Sequence, residues 1–294
     1  MSFLSYLING LSLGSIYALI ALGYTMVYGI AKMLNFAHGD VIMVGAYTIF
    51  CCVSTLGLPP VAGILLSILL CTILGIVIEK IAYKPLRQAA SSLAVLITAI
   101  GVSYFLQNIA LLIFGANTKA FTSVVSLKPV VLADGQITIS GETIVTIISC
   151  IVIMIVLTAF IKYTKAGQAM LAVSEDKGAA QLMGINVNGT ISLTFAIGSS
   201  LAAIAGMLLC SAYPALTPYT GSMPGIKAFV AAVFGGIGSI PGAFVGGLIL
   251  GVIEILSKAY ISSQLSDAIV FLVLIVVLLV KPTGLLGKKI QEKV

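Results

Sequence analysis

Apolar positions along this chain fall in long unbroken runs, with no alternation between apolar and polar. The runs cover residues 7–30, 41–58, 61–78, 93–114, 143–161, 190–213, 226–256 and 265–280. Each approaches or exceeds the roughly 20 residues with which a helix crosses a bilayer. Residues 7–30 would reach about 36 Å as a helix. No basic stretch precedes them and no small-residue cleavage site follows, so a retained first helix is expected, not a signal peptide. Only helices or closed barrels satisfy every backbone polar group in lipid, and barrel strands alternate over about 10 residues. The expectation is therefore an all-α, polytopic membrane protein. A single transmembrane domain over residues 1–294 should hold eight to ten transmembrane segments, including broken or re-entrant helices. The 226–256 run is interrupted at Gly235-Gly236-Ile237-Gly238-Ser239-Ile240-Pro241-Gly242, so it can be one broken crossing, two crossings or a half-helix pair.

Between the runs, basic residues gather at three places: Lys80, Lys84 and Arg87; Lys162, Lys165 and Lys177; and Lys281, Lys288, Lys289 and Lys293. The positive-inside bias makes these the cytoplasmic side, with the N-terminus outside. An odd number of crossings is then expected between the loop at about 162–189 and the tail. The stretch at about 115–141 becomes an extracytoplasmic loop, where Asp134-Gly135 and Gln136-Ile137-Thr138-Ile139 suggest a small hairpin. Residues 213–224, with three prolines, should form a second outer loop.

Composition narrows the function classes. Hydrophobic residues make up 60 % of the chain and charged residues 8 %, against roughly 25 % charged in soluble domains. A mean hydropathy of +1.20 leaves apolar surface that must face membrane lipid. The net charge of +6 is dispersed between apolar runs without a basic stripe, so no nucleic-acid partner is expected. The five cysteines, Cys51, Cys52, Cys71, Cys150 and Cys210, lie inside apolar stretches and read as small packing residues. With a single histidine, no metal site is expected.

Three segments carry candidate chemistry. Asn35-Phe36-Ala37-His38-Gly39-Asp40 packs ionisable groups between two apolar runs with almost no loop. Such groups cost about 2.5 kcal/mol or more each on insertion scales and usually face a cavity or a partner. Asp40 could cap a helix starting at Val41. The segment is either a discontinuous helix lining a solute path, with Asn35, His38 and Asp40 on it, or a structural cap with His38 bonded locally. The glycine run supplies Gly235, Gly236 and Gly238 as a second candidate break on that path. It lacks the Gly-Lys-Ser/Thr ending of a phosphate-binding loop. Third, the polar stretch 165–185 holds Ser174-Glu175-Asp176-Lys177, able to start a helix. Ala179, Ala180, Leu182 and Met183 would give that helix an apolar face, and Gly184 would end it. Such an elbow suits docking to a soluble partner; the plainer reading is a solvated or membrane-lying connector. Glu254 and Lys258, four apart on one helix, could pair. Thr98, Ser103, Gln107 and Asn108 could line a path or bond neighbouring helices.

The stretch around Gly178-Ala179-Ala180 and Gly184 resembles the coupling loop of ABC-importer permeases, with Gly178 where their signature has Glu. Over nearly its full length the chain resembles branched-chain amino acid permeases of the LivH/LivM type, LivH most of all. The resemblance rests on Asn9-Gly10…Gly14-Ser15…Tyr17-Ala18, Leu34 to Asp40, Glu175-Asp176…Met183-Gly184-Ile185, Gly235 to Ala243, and Lys281-Pro282-Thr283-Gly284. It implies a bacterial or archaeal cytoplasmic (inner) membrane permease with an inverted repeat. It also implies a homologous second permease of the LivM type, two ABC ATPase subunits and an extracytoplasmic solute-binding protein delivering leucine, isoleucine or valine. The coupling loop would be Glu175, Asp176, Lys177, Ala179, Ala180 and Gly184. No cofactor would be bound by this chain, which has no Walker motif; ATP would be hydrolysed by the partner subunits. Related permeases for urea, short amides or other amino acids fit the same pattern. An intramembrane enzyme would need clustered acidic or histidine residues at one depth, and an ion-coupled carrier would not need the polar elbow.

Overall fold

The computed structural model describes residues 3–88, 92–132 and 137–287. Eleven helices account for most of them: α1 (Phe3–Ala31), α2 (His38–Phe50), α3 (Pro60–Ile78), α4 (Ser92–Phe114), α5 (Gly141–Tyr163), α6 (Lys165–Glu175), α7 (Lys177–Leu182), α8 (Val187–Ala212), α9 (Ser222–Gly235), α10 (Ile240–Tyr260) and α11 (Ser266–Val280). Seven are long and apolar enough to cross a membrane once α2 is continued by its π turn to Thr55 and α3 by a π turn and a 3-10 turn to Arg87. Helices α9 and α11 are apolar but shorter. The chain is a multi-pass, all-α membrane protein.

Local signals place the helix starts. Proline at the first turn opens α3, where its missing N–H costs nothing. Side-chain caps open α5 (Ser140), α6 (Thr164), α8 (Asn186) and α10 (Ser239). The expected start at Ser174 is corrected: α6 runs through it to Glu175. The cap of α7 is Asp176, whose Oδ1 accepts from the Ala179 N–H at 2.9 Å. Its carboxylate also meets the positive end of the helix. Asp176→Ala should therefore cost about 1 kcal/mol of local stability, measured as faster amide exchange confined to residues 177–183. Gly184, at φ +83, ends the helix as expected.

Two helices form the centre. Burial covers 89 % of the apolar window of α1 and 78 % of that of α8, against 17 % for α4 and α5. Among the described residues the apolar surface left exposed on α3, α4 and α5 is the surface for lipid or a membrane partner. Helix α1 packs on α10 as α8 packs on α3, α1 on α9 as α8 on α2, and α2 on α3 as α9 on α10. Helices α1 and α8 run in opposite directions, so α8–α10 packs as an inverted counterpart of α1–α3. Close approach is made by glycine: a methyl group on Gly251 would sit 2.2 Å from Gly14 Cα.

The ends of the bundle follow from contacts. Lys177 reaches the Ala31 carbonyl and Arg87 reaches Asn188 at a basic end. Tyr6 stacks edge-on to Tyr260 at the other end. There β1 (Lys119–Ala120) pairs with β4 (Ala215–Leu216). The hairpin expected in the long loop is present as β2 (Val130–Leu132) against β3 (Ile137–Ile139); Asp134, Gly135 and Gln136 lie outside the described residues, as do Lys288, Lys289 and Lys293. Between the two ends the described chain passes through α1, α2, α3, α4, α5, α8, α9, α10 and α11. Four of these separate the α6–α7 elbow from the tail at 281–287, which is even. Two points on one side of a membrane are joined by an even number of crossings, so the odd count expected above is corrected. The 226–256 run is two helices hinged at the expected glycines. The outer loop expected at 213–224 is also corrected. After β4 the chain turns inward, and Gly221 lies against Gly39 inside the bundle.

Candidate functional site

Two helices begin inside the bundle, and their starts touch. Helix α1 stops at Ala31, and residues 32–37 turn back without helical structure before α2 begins at His38. On the other side, residues 217–221 lead inward to α9. Gly39 and Gly221 make the crossing: a Cβ on Gly221 would fall 1.7 Å from the Gly39 carbonyl oxygen, and one on Gly225 2.9 Å from Gly39 Cα. Each helix brings the positive end of its dipole to this place.

Polar side chains gather there. The Gln107 amide of α4 donates to Asp40 Oδ1 at 2.8 Å, and it also lies 3.2 Å from Ser103 Oγ and 3.3 Å from Ser222 Oγ. Asp40 is 2 % exposed. It does not cap α2, as expected from sequence; Ala37 is the N-cap and Asp40 sits in the first turn, where a carboxylate still meets the helix dipole. Asn35 accepts from the Tyr83 hydroxyl at 3.0 Å, tying the linker to the end of α3. His38 is walled in by α1: a Cβ on Gly23 would lie 2.4 Å from its Nε2. Tyr24 meets the imidazole edge-on with centroids 4.7 Å apart, and Nε2 has no hydrogen-bond partner. Of the candidate residues, Asn35, His38 and Asp40 are thus brought together around the start of α2, with Gln107, Ser103 and Ser222 added by other helices. Gln107 and Ser103 were candidates on spacing; Ser222 was not.

The glycine run lies elsewhere. Gly235, Gly236 and Gly238 form the turn between α9 and α10 at the basic end, and Gly236 and Gly238 have φ of +108 and +93. The tail folds onto this turn, with the Leu285 and Leu286 N–H groups donating to the Phe234 and Gly235 carbonyls at 2.9 and 2.8 Å. Side chains at Gly235 or Gly236 would collide with backbone.

A second polar cluster was missed by sequence reasoning. Lys227 of α9, 6 % exposed, reaches Glu254 of α10 at 2.8 Å and Asp267 of α11 at 2.7 Å. Glu254 also binds Lys258, as the spacing suggested, and accepts from the Tyr17 hydroxyl of α1 at 2.8 Å. Three helices meet on the Glu254 carboxylate, and Lys227 ties in a fourth through Asp267. The available signal was a lone lysine within the apolar 226–256 run, facing an equally lone glutamate.

At the basic end, α6 and α7 form the elbow. Ala180 is buried against the bundle, while Leu182 and Met183 are 90 % and 83 % exposed. Glu175, Asp176 and Ala179 are exposed too. The Lys177 ammonium donates to the Ala31 carbonyl at 2.9 Å. Burial, with the neighbouring Arg87 and Lys32 charges, holds it below the usual lysine range. Glu79 is fully buried in an ion pair with Arg87, and Ser192 donates to it. The elbow is therefore anchored at its root and bare at its tip.

Comparison of the sequence with known proteins finds relatives over its whole length. The family model described as branched-chain amino acid transport system / permease component matches residues 6–278. The chain is 46 % identical over 302 aligned positions to the high-affinity branched-chain amino acid transport system permease protein LivH of Salmonella typhimurium, covering 99 % of this chain and 98 % of that protein. It is 44 % identical to the corresponding permease protein BraD of Pseudomonas aeruginosa, with the same coverage. A probable branched-chain amino acid transport permease of Methanocaldococcus jannaschii is 29 % identical over 92 % of this chain and 88 % of its own length. Matched from end to end at this identity, the chain belongs to the family of branched-chain amino acid transport system permease components.

Proposed function

We propose that this chain is the membrane permease of an ATP-binding-cassette importer in a bacterial or archaeal cytoplasmic membrane. It forms part of the path for leucine, isoleucine and valine, which an extracytoplasmic binding protein delivers. It hydrolyses nothing itself; two separate ATPase subunits drive it, and a homologous second permease completes the path. The crossing of α2 and α9 supports the path: helix starts and a polar cluster lie inside an otherwise apolar bundle, where a zwitterion needs partners for both its charges. Asn35, His38 and Asp40 shape the start of α2 there, and Gly235, Gly236 and Gly238 form a tight turn at the inner mouth.

The observation that carries the ATP-driven reading is the tip of α7. Leu182 and Met183 stand exposed at the basic end, outside the membrane-crossing helices, on an elbow rooted by Ala180 and Lys177. Two large apolar side chains in that position fit a groove on a soluble partner. Glu175, Asp176, Lys177, Ala179, Ala180 and Gly184 build and hold the elbow. The test is pull-down of the ATPase subunits by the detergent-solubilised permease pair carrying Leu182→Asp and Met183→Asp. Each substitution should remove about 2 kcal/mol of docking energy, roughly thirtyfold in affinity. Undiminished ATPase capture by the double variant would contradict the assignment.

A further inference from the structure

A cavity of about 410 Å³ lies at the basic end, between the end of α1, the turn after α3, the start of α4 and α7. Its walls divide in two. Leu34, Leu86 and Leu96 make an apolar side. Lys32, Arg87 and Lys177 bring three cations to the other.

Among the described residues these cations are short of counter-charge. The one carboxylate within ion-pair distance of any of them, among the described residues, is Glu79, which Arg87 holds and Ser192 also engages. Arg87 spends a further N–H on Asn188, yet its Nε is buried without a hydrogen-bond partner. Lys177 is bound to a neutral carbonyl only. The charges of Arg87 and Lys32 act on it as repulsion. Among the described residues Lys32 has no ion-pair partner, and it stands at φ +57, ending α1 in the left-handed conformation that glycine adopts more easily. Like charges crowded beside a low-dielectric wall repel unless an anion joins them.

We propose that this cavity binds a phosphate group, held by Lys32, Lys177 and the Arg87 guanidinium. Donors from three separate elements around one space suit an oxyanion with several oxygens better than a single carboxylate. A volume of about 410 Å³ also exceeds the need of a monatomic ion. The phosphate can come from an anionic phospholipid headgroup, whose acyl chains would lie along the leucine side and the exposed Ile97 beyond it, or from free phosphate in the aqueous phase. Polybasic pockets at the membrane boundary recognise such headgroups.

Two arms on the complete transporter distinguish the sources. In the first, the complex is reconstituted in nanodiscs of phosphatidylglycerol or of phosphatidylcholine, and retained lipid is counted by native mass spectrometry. In the second, the complex in neutral detergent is dialysed against radiolabelled inorganic phosphate. Each arm compares wild type, Lys32→Gln, Lys32→Gln with Lys177→Gln, and Lys32→Arg. Removing both ammonium groups should weaken binding by about tenfold or more, while Lys32→Arg keeps it. Loss in the first arm assigns the lipid headgroup, and loss in the second assigns free phosphate. If the double variant does not assemble, the exposed Lys32→Gln alone must show a loss. Equal retention by wild type and variants in both arms, or no retention by wild type, overturns the proposal.

Discussion

Replacing Lys227 with methionine is expected to cost the folded subunit about 3 kcal/mol. Methionine keeps the length and the apolar stem but removes the ammonium that lies 2.8 Å from Glu254 and 2.7 Å from Asp267. Breaking a buried pair typically costs about 3–5 kcal/mol because the remaining charge stays desolvated. The lower end applies here, since Lys258 still reaches the same carboxylate oxygen and Tyr17 still donates to the other. Asp267 is 43 % exposed and can turn to solvent. Adding Glu254→Leu should recover most of the loss, because no buried charge then lacks a partner. Thermal unfolding of the purified subunit in detergent reads both effects. A single variant as stable as wild type, or a double variant less stable than Lys227→Met, would show that the cluster does not hold the four helices together.

An equally large effect is expected from one methyl group at the crossing of the two broken helices. Gly221→Ala places a Cβ 1.7 Å from the Gly39 carbonyl oxygen. The backbone of Gly221, at φ −86, suits alanine, so the cost is one of space alone. The obstacle is backbone and cannot rotate away, so α2 and α9 must separate. Overpacking typically costs about 1–3 kcal/mol, and the upper end is expected here. Gly101→Ala is the matched control, because nothing lies within 4 Å of its added methyl. Fluorescence-detected size-exclusion should show Gly221→Ala losing its monodisperse peak at a temperature where Gly101→Ala keeps it. Identical profiles would remove the crossing from the account.

Much of this architecture was legible in the chain because membrane helices are written as length and apolarity. The hinge at Gly235–Gly242 was visible as glycines inside an apolar run, and the break before α2 as Asn35 to Asp40. The break before α9 was not. Residues 213–221 carry prolines and hydroxyls that read as an outer loop, and only Gly39, some 180 positions away in sequence, gives Gly221 its place inside the bundle. The same limit explains the caps. Ser174 and Asp176 both cap well in isolation, but the continuation of α6 through Ser174 leaves Asp176 the role. Asp40 looked like a cap for Val41, yet α2 begins at His38 because Gly23 leaves room for the imidazole against α1. Lys227 stayed hidden because its partners lie on α10 and α11, and a single charge in an apolar run does not name its partner.

The inverted arrangement joins these observations to transport. Helices α2 and α9 begin at related places in the two copies and meet at Gly39 and Gly221, so the bundle's interior carries helix starts and the Asp40–Gln107–Ser222 cluster. The elbow at α6–α7 lies at the basic end, rooted on Ala31 at the end of α1. A push on its exposed tip therefore bears on the linker that leads to the α2 start. The most direct test is uptake of radiolabelled leucine into vesicles that hold this chain with its second permease and ATPase subunits, with the binding protein outside and ATP inside. Uptake that requires ATP, the binding protein and the ATPase subunits is the predicted result; uptake that persists on an ion gradient with the ATPase subunits left out, or no ATP-dependent uptake at all, would contradict it.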